Sequence, residues 1–211
     1  MNNHWNNKKE ELLKKWNFES SLYIWLHNHN AEYYKNIDNL LSIPSIIISA
    51  ITSTTIFSTI NNDNKELMIV VGCLLVIGTF LQSARDYFNI NKLIYDNIQC
   101  SKDYKIIYND IEEQINQEYN ERDNAVRFLN KIKIKRNNII LNSPDINNNS
   151  WKKLKVNIEK GEMVRMAHSD YFLKYFKNNK DNKDSEENKI NLTIENLKNK
   201  LQFHNNELLI V

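Results

Sequence analysis

Glycine and proline are scarce, at 3 and 2 in 211 residues. So few turn signals exclude a sheet protein built on tight hairpins and leave long helices as the expected element. There is no Gly-rich loop to cradle a phosphate. Only two cysteines occur, Cys73 and Cys100. About 27 residues of helix would hold them roughly 40 Å apart, too far for a disulfide within one chain, which fits a reducing cytosolic face. A net charge of +2 without a compact Lys/Arg block makes nucleic acid an unexpected partner. The opening "MNNHWNNKKEELLKKW" has no apolar core of the signal-peptide kind, so any membrane insertion is expected to use internal segments.

The most informative absence is local. "LLSIPSIIISAITSTTIFSTI", Leu40 to Ile60, contains no charged residue, although 26% of the chain is charged and its mean hydropathy is −0.60. As a helix it is roughly 31 Å long, against about 30 Å of bilayer hydrocarbon. A second run, "LMIVVGCLLVIGTFL" from Leu67 to Leu81, reaches span length with Gln82, Ser83 and Ala84. The polar "NNDNKE" between them suits a turn at a membrane surface. Two core helices of a soluble bundle are the alternative, but such helices keep a polar face, and neither run has a charge on any face. The pattern predicts a transmembrane hairpin, with spans at about 40–60 and 67–84. Lys35, Arg85 and Lys92 flank its outer ends, whereas the turn carries Lys65 beside Asp63 and Glu66. This bias places both termini in the cytosol and residues 61–66 on the opposite side, so the sequons at Asn148 and Asn191 would escape glycosylation.

Within the first span, Ser42, Ser45, Ser49, Thr52, Ser53 and Thr59 fall within about 120° of arc, opposite Ile43, Ile47 and Ile51. A one-sided hydroxyl stripe can line a wet path when several helices surround an axis, with Ile56 near its outer end as an apolar constriction. The plainer reading is that small hydroxyl residues let neighbouring helices pack closely. Gly72, Gly78, Thr79 and Ser83 give the second span small helix-packing positions. No Asp, Glu, Lys, Arg or His lies inside either span, which argues against a proton relay. Pro44 reads as a helix-start marker.

The flanks are amphipathic. Leu12, Trp16, Tyr23, Leu26, Tyr33 and Ile37 form one stripe, with Trp5, Trp16 and Trp25 in the same region. Packing on a helix after the second span competes with membrane-surface binding as its use. Tyr87, Ile90, Ile94, Tyr104, Tyr108, Ile111, Ile115 and Tyr119 keep a similar period, which predicts a long helix leaving the membrane and pairing within the chain or between copies. "NSPDI", Asn142 to Ile146, ends the helical region before Pro144. The resulting division is an amphipathic helix at 1–39, the hairpin at 40–84, a helical region at 85–146, and C-terminal helices at 147–211 with a charged linker at about 177–190. His27 and His29 point to different faces of a helix, and Cys100 has no base near it in sequence. No metal, cofactor or enzymatic activity is expected.

"YIWLHNHNAEYY" at Tyr23 to Tyr34, "LLSIPSIIISAITSTTIF", "GTFLQSARDYF" and "ERDNAVRFLNKIKIKRNNIILNSPDI" stand in this order over about residues 10 to 146. In that order and spacing the chain resembles the SLATT-domain family, two-transmembrane effectors found beside nucleotide sensors in prokaryotic defence systems and also encoded by large eukaryotic DNA viruses. The resemblance implies a homo-oligomer that perturbs or permeabilises a host or virion membrane, with helices projecting into the cytosol, and supplies no catalytic residues. The chain has no recognisable sensor domain, and its Asn-rich composition is nearer the viral branch. The expectation is therefore an all-α, homo-oligomeric membrane protein, with a two-helix hairpin and cytosolic helices in a bundle or coiled-coil-like region. It would pass ions through a pore or serve as a non-conducting scaffold whose helices bind partners.

Overall fold

A computed structural model of the chain describes residues 5–59, 65–159, 191–192, 194–196 and 198–199. Among these residues every regular element is an α-helix: α1 (Asn7–Thr59), α2 (Lys65–Tyr87), α3 (Ile90–Asn116), α4 (Ala125–Asn142) and α5 (Asn148–Glu159). The predicted linker at about 177–190 and the tip of the predicted turn, residues 61–64, lie outside the described residues.

The helices form two compact units. The first takes residues 1–30 and 96–211, the second residues 31–95, so α1 and α3 each contribute to both. In the first unit the core follows from helical spacing. Leu22 and Leu26 of α1, then Cys100, Tyr104, Ile107 and Ile111 of α3, are buried at intervals of three and four. Phe128, Ile132, Arg136 and Ile140 of α4 continue the pattern, as do Trp151, Leu154 and Ile158 of α5. One cluster gathers Phe18, Leu22, Tyr23 and Leu26 around Tyr104, Trp151 and Leu154; a second joins Leu13 to Ile107, Ile111, Phe128 and Ile132. The lead helix thus packs within its own chain, and Trp5, Trp16 and Trp25 lean on these clusters. Its buried line runs through Leu13, only 1% exposed, while the predicted Leu12 is 36% exposed. A shift of one residue rotates a helix face by about 100°, and the contact with α3 and α4 sets that phase.

Three boundaries depart from the sequence expectation. Pro44 does not start a helix: it lies inside the 53-residue α1, where Leu40 O loses its usual donor. The helix predicted to run unbroken after the second span is interrupted at Phe88–Asn89, where Asn89 takes the left-handed conformation (φ 48°), and it ends at Asn116. There Arg122 caps the freed carbonyls, donating to Ile115 O at 2.8 Å and Gln117 O at 3.0 Å while pairing with Glu10. Asn124 then starts α4, its side chain accepting from the amides of Val126 and Arg127. At the far end, Ser143 is extended before Pro144, as the ring requires.

Candidate functional site

The second unit contains both apolar runs. Among the described residues two helices are long and apolar enough to cross a membrane, and only 6% and 11% of their most apolar windows are buried. Ile46 is 67% exposed, Val76 70% and Phe80 72%.

What holds the two helices together is small and specific. Ser45 Oγ donates to Gly78 O at 3.5 Å, and Thr52 is 1% exposed. A Cβ built on Gly78 would stand 3.3 Å from Ile48 Cγ2, so glycine there sets the approach of the helices. At the other end of the pair, Arg85 Nε donates to Asp38 Oδ1 at 2.5 Å and Arg85 Nη2 reaches Asp38 Oδ2 and Asn91 Oδ1. The pairings Asp38 with Arg85 and Ser45 with Gly78 share one antiparallel register. The sequence reading used Arg85 only as a topology signal and missed its partner; the signal available was that two opposite charges stand just outside the far ends of the two charge-free runs.

The hydroxyl stripe is divided by this packing. Ser45 and Thr52 are engaged inside the hairpin, whereas Ser49 and Ser53 remain exposed on the adjoining arc. Ser42 is half-buried and donates to Asp38 O at 2.7 Å. Ser49 donates to Ser45 O at 2.8 Å, Ser53 to Ser49 O at 2.7 Å and Thr52 to Ile48 O at 2.9 Å. Ile56 is 44% exposed, and the side chain of Thr59 lies outside the described residues. Of the four packing candidates on α2, Gly78 contacts α1; Gly72, Thr79 and Ser83 are exposed, and a Cβ on Gly72 would meet nothing within 4 Å among the described residues.

The first unit holds a buried polar network that sequence reasoning did not single out. His27 Nδ1 lies 3.0 Å from Asn97 Oδ1, which also accepts from Asn30 Nδ2 at 3.0 Å. Asn30 Oδ1 in turn accepts from the backbone N–H of Asn147 at 3.1 Å, tying α1 to the loop before α5. Because the Asn97 oxygen is the acceptor, His27 carries its proton on Nδ1, and among the described residues its buried Nε2 has no hydrogen-bond partner. Burial lowers the His27 pKa to about 4, against a smaller opposing effect of the Asn97 hydrogen bond. His29 instead stacks on Trp25 at 5.1 Å, so the two histidines part as the helix geometry requires. Burial raises the pKa of the Cys100 thiol, which lies 3.6 Å from Ser143 Oγ, and so disfavours its thiolate form. Glu19 and Arg136 form a buried ion pair, with the guanidinium 5.0 Å over Trp16.

No family model matches the chain, and neither a curated protein nor a solved structure matches it.

Proposed function

We propose that the chain is an integral membrane protein whose hairpin crosses a bilayer and assembles with copies of itself around an ion-conducting path. The observation that carries the membrane reading is the low burial of the apolar windows, 6% and 11%. A core helix of a soluble protein hides such a window, because leaving large aliphatic side chains in water costs about 1.5–3 kcal/mol each. A bilayer removes that cost without a protein partner. The Lys/Arg bias puts both termini in the cytosol.

Conduction is supported by the part of the stripe that the hairpin leaves free, Ser49 and Ser53, in a span where polar groups are otherwise costly. The SLATT-like order of elements agrees with an oligomeric effector. One observation favours the anchor reading instead: Ser49, Ser53 and Thr52 each satisfy their hydroxyl on their own helix, so none needs water.

Two measurements test the proposal. Carbonate-washed membranes retain the protein in the pellet if the hairpin spans; release into the supernatant refutes the membrane reading. In liposomes holding oligomeric protein, Ser49→Leu and Ser53→Leu lower ion flux, while Thr52→Leu weakens the hairpin itself because that side chain has no free space. Absence of flux from the inserted wild-type oligomer refutes the channel and leaves the anchor.

A further inference from the structure

The register of the hairpin and the length of its spans bring two aromatic pairs to one level. Asp38 and Arg85 meet at one end of the hairpin, and the charge-free sequence begins just inside them, at Leu40 on α1 and at Ala84 on α2. The ion pair therefore marks the edge of the apolar slab. Tyr87 and Phe88 follow Arg85 by two and three residues, roughly 3–5 Å of helix rise. On the antiparallel partner, Tyr33 and Tyr34 precede Asp38 by four and five residues, roughly 6–8 Å. The polar layer on each side of the hydrocarbon is about 5–7 Å deep, so both pairs fall in or at the edge of that layer. Each pair packs edge to face, Tyr33 on Tyr34 at 5.4 Å and Tyr87 on Phe88 at 5.2 Å. Tyr87 is 81% exposed and Phe88 61%, on the last turn of α2 and the elbow after it.

The elbow belongs to the same design. Phe88 N–H still bonds Ala84 O, Asn89 N–H bonds Asp86 O, and the left-handed Asn89 breaks the helix before α3 restarts. Asparagine tolerates that conformation better than a branched residue would. Neighbouring charges are mixed, Lys35 and Lys92 against Glu32 and Asp86, so the surface does not select anionic headgroups. The second span adds a length argument: its strictly apolar run, Leu67 to Leu81, is roughly 22 Å long, short of a 30 Å core, so the aromatic end must sit close to the interface.

We infer that Tyr33, Tyr34, Tyr87 and Phe88 form an aromatic belt that binds the headgroup layer of a phospholipid bilayer and sets the depth of the hairpin. The inference rests on the membrane reading above. Aromatic rings suit this layer because an apolar body and a polar tip are both satisfied there.

The test is depth measurement by nitroxide labels in a Cys73→Ala/Cys100→Ala background, reconstituted in phosphatidylcholine vesicles. A label at Val76→Cys reads near the bilayer centre, and one at Phe88→Cys reads roughly 15–18 Å shallower, at the headgroups. If the 76 label is deep while the 88 label reports bulk water or hydrocarbon, the belt is refuted and the span stands; a 76 label in water refutes both. In a second series the label at Ser83→Cys keeps its depth below the headgroups when acyl chains are lengthened, and drifts in the Tyr87→Ser/Phe88→Ser variant. Equal drift in both proteins refutes anchoring by the aromatics.

Discussion

His27 shows what a single buried side chain imposes. Its ring lies 5.9 Å from Tyr104, nearly parallel to it, and Tyr104 stacks on Tyr23 at 4.9 Å, so the imidazole is walled by aromatic surface. Adding a proton to Nε2 would bury a cation with no acceptor among the described residues. With a folded pKa of about 4 and an ordinary value of 6.5, the unfolded chain binds the proton first as pH falls. Stability from this group is therefore constant above about pH 6.5 and declines down to about pH 4, by roughly 3 kcal/mol in all. Denaturation of the detergent-solubilised protein at pH 7 and pH 4.5 checks this. His27→Gln flattens the difference, and an unchanged slope in that variant would reject the assignment. The sequence put His27 and His29 on different faces of a helix, and burial decides which face is sealed.

At the scale of elements, the two glycines of α2 behave oppositely. Gly78 faces Ile48 at near-contact distance, so Gly78→Leu overpacks the hairpin and costs about 1–3 kcal/mol. Gly72 has open space around its missing side chain, and Gly72→Ala gains helix propensity with no clash. Thermal unfolding in detergent, followed by circular dichroism, should show a lower midpoint for the first and an equal or higher one for the second. The sequence marked both as small packing positions because periodicity counts small residues without saying which faces a neighbour. The same limit explains Leu12 against Leu13 and the misplaced reading of Pro44. An apolar stripe leaves its phase open by one residue, and a proline reads as a boundary until neighbouring contacts hold its helix together.

For the whole molecule, the decisive fact is that residues 1–30 and 96–159 belong to one unit although 65 residues separate them in the chain. Asn30 and Asn97 are hydrogen-bonded, so the two ends of the excursion lie side by side. Replacing residues 31–95 with a short Gly/Ser linker is therefore expected to yield a water-soluble helical protein that melts cooperatively. Loss of helical signal, or melting without cooperativity, would show that the first unit depends on the hairpin. Two of its polar pairs cross between helices, Asn17 with Glu112 and Glu19 with Arg136, and such pairings tolerate no rotation of one helix against another.

The helical class, the place and length of the two charge-free runs, and the end of α4 before Pro144 could be read from the residues alone. These depend on local propensity and on period, which neighbouring residues carry. Packing settled the rest: α1 passes unbroken through Pro44, its first part pairs with α3, α4 and α5, and Ser45 and Thr52 are covered while Ser49 and Ser53 are exposed. It also decided that Asp38 closes on Arg85 and that His27 is sealed. Each of these depends on contacts between residues far apart in the chain, whose phase and partner no local pattern specifies.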